Sequence, residues 1–153
     1  MDRTINFDMD GTIANLYGVE DWLPKLRAHD PSPYIDATPL VRLAQLAYYI
    51  NRLQAIGYTV NILSWLSKDP DPDYGAAVTA AKLEWLKAHM PSVTFNNIFI
   101  IPYGTPKHEI SGGILFDDEE RNRTTWNGAA DENWAFSENM IFDTLRTLLA
   151  AGR

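Results

Sequence analysis

Apolar residues along this chain recur with two different periods, and the switching between them outlines an α/β protein. Arg3-Thr4-Ile5-Asn6-Phe7 alternates like a short strand. From Pro39 to Ala55 the period lengthens: Leu43, Leu46, Ile50 and Leu53 fall three and four apart, which predicts a helix with one buried face. Thr38 reads as its N-cap, Pro39 as its first residue and Gly57 as its stop. Tyr58 to Ser64 then reads as a β-branched, largely apolar strand. A second helix is expected from about Asp73 to His89, with Val78, Ala81 and Trp85 on one face and Pro91 beyond its end. Asn97 to Ile101 and Gly113 to Phe116 read as strands, Asn122 to Asp131 as loop, and Asn133 to Phe136 as an edge strand. Ser137 is expected to cap a final helix that buries Ile141, Leu145, Leu148 and Leu149. The alternation predicts one domain over 1–153, a three-layer, doubly wound, Rossmann-like parallel sheet of about five strands.

One stretch breaks this rhythm. Between Ala14 and Thr38 the breakers Pro24, Pro31 and Pro33 leave room for only a short helix around Glu20 to Ala28. Trp22, Leu23, Leu26 and Tyr34 still need cover, so the stretch reads as a small cap or flap beside the end of the first strand. Trp22 and Tyr34 either line a substrate pocket there or pin the flap down.

Composition narrows the function. The 153 residues carry 13 basic and 20 acidic side chains, a net charge of -7, with no run of Lys or Arg. A surface of that sign repels a polyphosphate backbone, so long nucleic acid is not an expected partner. Cysteine is absent, which removes disulfides, thiolate metal sites and thiol nucleophiles. No long apolar run or leader-like segment occurs, so no membrane partner is expected and the expected address is cytoplasmic.

The candidate chemistry gathers where strands end. The first strand runs into Asp8-Met9-Asp10-Gly11-Thr12, two acids one residue apart. On an extended segment such carboxylates can share a side, where their repulsion invites a hard cation. Gly11 allows a tight turn and close approach to main-chain N–H groups, and Thr12 offers a hydroxyl to phosphate or to the turn. Ser64 ends the second strand, Lys107 lies in the loop after the third, and Asp117-Asp118 end the fourth. Each has an ordinary reading alone: a turn, a helix cap, a solvated lysine, an exposed acidic turn. Their order along alternating strands and helices is what gives them meaning.

With these residues in that order, the chain resembles the haloacid dehalogenase (HAD) superfamily of phosphohydrolases. Asp8-Met9-Asp10-Gly11-Thr12 matches its Asp-x-Asp-Gly-Thr motif, Val60-Asn61-Ile62-Leu63-Ser64 its second, Lys107 its lone lysine, and Ile114-Leu115-Phe116-Asp117-Asp118 its paired acids. The resemblance covers residue 3 to about 150, and within the superfamily the chain most resembles the 5'(3')-deoxyribonucleotidase-like branch and its small phage and bacterial relatives. It implies Asp8 as nucleophile, Asp10 as general acid and base, and Mg²⁺ held by Asp8, the main-chain carbonyl of Asp10, and Asp117, Asp118 or both. It further implies phosphate and substrate contacts from Ser64, Lys107, Met9 and Thr12; Trp65, directly after Ser64, reads either as a substrate contact that stacks on a base or as a core side chain. Lys68 and Lys82 are the alternative lysines, one in the loop after Ser64 and the other on a helix. His108 is a secondary candidate for phosphate, and His29 and His89 have no assigned role.

The expected activity is hydrolysis of a small phosphomonoester, with a nucleoside or deoxynucleoside monophosphate as the best single substrate. Sugar phosphates, nucleic-acid termini and a low-turnover phosphate-binding regulator are the alternatives. A cap of this length is short for the superfamily, so a homo-oligomer is one arrangement that would cover the site.

Overall fold

Buried Ile5 and Phe7 draw β1 (Thr4–Phe7) into the middle of a sheet, and the rest of the chain winds outward from it. The computed structural model describes residues 2–152; Met1 and Arg153 of the expected 1–153 span lie outside the described residues. After β1 come β2 (Ala14–Asn15), α1 (Trp22–Arg27), α2 (Ser32–Asp36), β3 (Thr38–Pro39), α3 (Leu43–Ala55), β4 (Thr59–Trp65), α4 (Pro72–His89) and β5 (Asn97–Ile101). β6 (Ile114–Phe116), α5 (Glu120–Ala129), β7 (Trp134–Phe136) and α6 (Ile141–Ala151) complete the order.

The main sheet has five strands in the order β5-β4-β1-β6-β7, all pairs parallel. The chain steps outward through β4 to β5, then returns to the other side of β1 to lay down β6 and β7. Winding therefore reverses between β1 and β6, and crevices for ligands open at the carboxyl ends of such neighbours. Phe7 pairs with Phe116 at the last register position, so the residues that follow each are brought side by side.

Both faces of the sheet are covered, which is why β1 and β4 bury nearly every residue instead of alternating with solvent. One face, with Ile5, Phe7, Val60, Ile62 and Phe116, joins the main core with Leu46, Ile50 and Leu53 of α3 and Ile141, Leu145 and Leu149 of α6. On the other face Leu63 and Leu115 pack with Trp126 of α5. That face also carries an amide ladder. Asn97 Nδ2 donates to Asn61 Oδ1 (3.0 Å), Asn61 Nδ2 to Asn6 Oδ1 (3.1 Å), and Asn6 Nδ2 to the carbonyls of Gly112 (2.9 Å) and Ile114 (3.0 Å). Three asparagines at matched register positions tie four strands together and penalise any slip.

Three expectations need correcting. Thr38 and Pro39 do not start α3; they pair antiparallel with Asn15 and Ala14 and close the stem of the insert. Proline lacks a donor and so suits a two-residue edge ribbon, and α3 starts at Leu43. The stretch expected as loop from Asn122 to Asp131 is mostly helix, α5, anchored by Trp126 Nε1 donating to the Gly113 carbonyl (2.8 Å). Ser137 precedes a 3-10 turn (Glu138–Met140) rather than capping α6, and its hydroxyl bonds Asn139.

The insert rests on a small core of its own, where Leu16 and Tyr34 meet Tyr74, Val78 and Ala81 of α4. Among the described residues no helix is long and apolar enough to cross a membrane. The ladder yields a prediction: Asn61→Ala removes two ladder bonds and leaves the buried Asn6 Oδ1 unpaired, so urea unfolding should show a loss of about 2–3 kcal/mol, against about 1 for Asn97→Ala, which removes one bond at the exposed sheet edge. Equal losses would contradict a register role for Asn61.

Candidate active site

Parallel pairing of β1 and β6 places Asp8 beside Asp117 and Asp118, with carboxylate oxygens of all three within 4.8 Å of one another. The strand ends alone would not hold three acids so close. Lys107, buried at the start of a 3-10 turn (Lys107–Glu109), reaches between them and donates to Asp8 Oδ1 (3.1 Å) and Asp117 Oδ2 (2.7 Å). Thr12 Oγ1 lies within reach of Asp8 Oδ2 (3.1 Å) and Asp118 Oδ1 (3.4 Å). Asp117 is tied down further by the Glu119 N–H (2.9 Å) and Asn122 Nδ2 (3.2 Å), and Arg123 holds its carbonyl (3.0 Å).

Gly11 makes the approach of Asp118 possible. Its φ of +81° is strained for any residue with a side chain, and a Cβ there would stand 2.2 Å from Asp118 Oδ2.

A second ammonium organises Asp10. Lys82 on α4, 0% exposed, donates to Asp10 Oδ2 (2.9 Å), Ser64 Oγ (2.7 Å) and the Trp65 carbonyl (2.7 Å), which uses all three of its N–H groups. Its Nζ also lies 5.2 Å from the ring centre of Tyr34 in the insert. Lys82 thus joins the site alongside Lys107 rather than in its place. The hint in sequence was a lysine on the apolar face of α4, between Val78, Ala81 and Trp85.

The remaining expected residues are spread between cavity and core. A cavity of about 270 Å³ is lined by Asp8, Asp10, Lys107 and Asp117 at its base and by Tyr17, Trp22, Tyr34, Trp65 and Tyr103 along its walls. Ser64 and Thr12 are buried just behind that lining. The Met9 side chain belongs to the main core, and its carbonyl accepts from the N–H groups of Thr12, Ile13 and Ala14. Trp65 is half-buried and fixed by its indole N–H on the Thr105 carbonyl (2.8 Å). Lys68 lines the outer cavity. His29, without an expected role, bonds Asp69 (2.5 Å) and stacks on Tyr74, fastening the insert to the loop after β4. Trp126 is buried and anchors the late segment through its indole N–H, whereas Trp134 is 61% exposed.

The electrostatics favour a cation at the acid cluster. Burial would lower the proton affinity of Lys107, but the Asp8 and Asp117 charges outweigh it and hold the ammonium charged. Burial, followed by the Asp8 charge, raises Asp117. Burial, the Asp8 charge and a shared hydrogen bond with Asp8 push Asp118 up to about 8. Three carboxylates face one ammonium, so the acids outnumber the cation, and the donors are all oxygen, so the group fits a hard divalent ion. The Asp10 side chain lies outside it, leaving the main-chain carbonyl as that residue's potential donor.

A scan against protein-family models and a search of curated proteins returned no match. Residue geometry therefore carries the functional reading.

The raised Asp118 gives a pH prediction. Its native carboxyl holds a proton more tightly than the unfolded one, so its contribution to stability falls from about pH 4 and levels off above about pH 8. In chelator, Asp118→Asn should gain in melting temperature relative to wild type between about pH 5 and about pH 8.5. A difference independent of pH would contradict this.

Proposed function

We propose that the chain is a Mg²⁺-dependent phosphomonoesterase of the haloacid dehalogenase type, acting on a small phosphorylated metabolite through an aspartyl-phosphate. The observation that carries the reading is Asp8: both of its carboxylate oxygens are held, by Lys107 and Thr12, at the floor of an open cavity beside two further acids. A nucleophile needs that kind of fixed aim.

Asp8 attacks phosphorus as the bond to the ester oxygen breaks, and the leaving oxygen takes its electron pair and then a proton from Asp10. Water next attacks the phosphorus of the aspartyl-phosphate and loses a proton to Asp10, which releases inorganic phosphate and restores the Asp8 carboxylate. Lys82 engages Asp10 Oδ2 and leaves Oδ1 without a hydrogen bond among the described residues, free to carry the proton. Lys107 neutralises charge beside Asp8 during transfer. Asp8, Asp117 and Asp118, with the Asp10 carbonyl, would hold Mg²⁺, which would supply positive charge to offset that on the phosphoryl oxygens. Ser64, positioned by Lys82, supplies a hydroxyl toward the phosphate.

The aromatic walls favour a flat leaving group. Tyr17, Trp22, Tyr34, Trp65 and Tyr103 surround the space above the acids, which supports a nucleoside or deoxynucleoside monophosphate as substrate.

Phosphate release from a panel of nucleotides and sugar phosphates tests the proposal. Asp8→Asn should lower kcat by at least ~10³-fold while leaving the circular dichroism spectrum unchanged. Chelation should abolish turnover and added Mg²⁺ should restore it; a rate indifferent to either change would refute the mechanism.

A further inference from the structure

A second cavity, of about 320 Å³, lies against the first and shares Trp65, Tyr103, Lys107 and Asn122 with it. Its other walls come from Gly104, Pro106, His108, Arg121, Thr125 and Trp126. The charge on those walls sets it apart. The chain carries a net charge of -7, and the catalytic cavity includes Asp8, Asp10, Asp117 and Glu119. Its neighbour has Lys107, Arg121 and His108 but no carboxylate in its lining.

Two of these groups are not used by the hydrolytic machinery. His108 has no hydrogen-bond or ion-pair partner among the described residues. Arg121 has one loose ion pair, to Glu119 at 3.6 Å, and its side chain is 68% exposed. A long contact of that kind at the surface contributes little, so the guanidinium is available to another anion. Its position is nonetheless defined, because Arg121 Cζ lies 5.8 Å from the centre of the Trp65 ring, and Lys107 Nζ lies 5.4 Å from the same centre. Trp65 is held in turn by its bond to the Thr105 carbonyl. Trp65 therefore borders both cavities, the catalytic one that includes Asp10 and the cationic one that includes Arg121.

We propose that this chamber binds a second anionic group of the substrate, so that the preferred substrate is a small molecule bearing two phosphates, one cleaved at Asp8 and the other held by Arg121 and His108. Guanidinium is suited to the task, since its planar fork pairs with two phosphate oxygens at once. The proposal rests on the phosphomonoesterase reading for the identity of the first site. It goes beyond that reading in giving the leaving group a charge.

Binding and turnover separate the two claims. In Asp8→Asn protein with Mg²⁺ at constant ionic strength, calorimetry would compare thymidine 3',5'-bisphosphate with thymidine 5'-monophosphate. The bisphosphate should bind roughly tenfold more tightly, the effect expected of one added charge-assisted pair. Adding Arg121→Ala should erase the difference, while Arg146→Ala, which removes an exposed charge on α6, should preserve it. Equal affinities in the Asp8→Asn protein, or a bisphosphate preference that survives Arg121→Ala, would overturn the second site. Turnover by wild type addresses the other claim: failure to release phosphate from any ester would sink the phosphatase reading and leave the binding comparison to decide the chamber.

Discussion

Like-charge repulsion among Asp8, Asp117 and Asp118 is the constraint that organises this molecule. Free carboxylates would not gather within 4.8 Å of one another, so the fold must hold them there. Parallel pairing of Phe7 with Phe116 fixes the two strand ends side by side, and the asparagine ladder through Asn6 and Asn61 keeps that register from slipping. Gly11 clears the space that Asp118 enters. Lys107 then neutralises one charge from inside, leaving the remainder to a proton on Asp118 or to a divalent ion. A proton and a cation would compete for the same oxygens, so metal binding at this cluster would depend on pH.

Two buried ammonium groups divide the work. Lys107 belongs to the acid cluster and touches Asp8 and Asp117; Lys82 belongs to Asp10 and Ser64. The carboxylate proposed to attack and the one proposed to move a proton therefore have separate cationic partners. Lys82 also ties the insert to this arrangement, because Tyr34 lies over its ammonium while packing on α4. The insert is short, but together with Trp65 and Tyr103 it supplies an aromatic wall above the acids. Tyr17 and Leu23, exposed apolar residues that would be unfavourable on a plain surface, line that wall.

Where periodicity was strong, the residues announced their structure. Leu46, Ile50 and Leu53 marked α3, and Val78, Ala81 and Trp85 marked α4, because each set forms one continuous buried stripe. The acids at strand ends were equally legible, since few other reasons place Asp8 and Asp117 at the close of apolar strands. α5 was hidden because Trp126 is its one buried residue, so it has no stripe to read. Thr38-Pro39 carried a good helix-start signal that tertiary pairing with Ala14-Asn15 overrode. Lys82 was legible only as an alternative to Lys107: a lysine on a helix reads as solvated, and only the fold reveals the carboxylate facing it from 72 residues away. The asparagine ladder was obscured likewise, since asparagine is ordinarily a turn residue and its cross-strand partners depend on strand order.

The central claim is that Asp8 becomes covalently phosphorylated, and rapid quenching during turnover tests it most directly. Peptides from the acid-quenched protein, mapped by tandem mass spectrometry, should carry phosphate on Asp8 and not on Asp10, Asp117 or Asp118. Steady phosphate release with no phosphorylated Asp8 at any quench time would mean that water attacks the ester directly and that Asp8 is not the nucleophile.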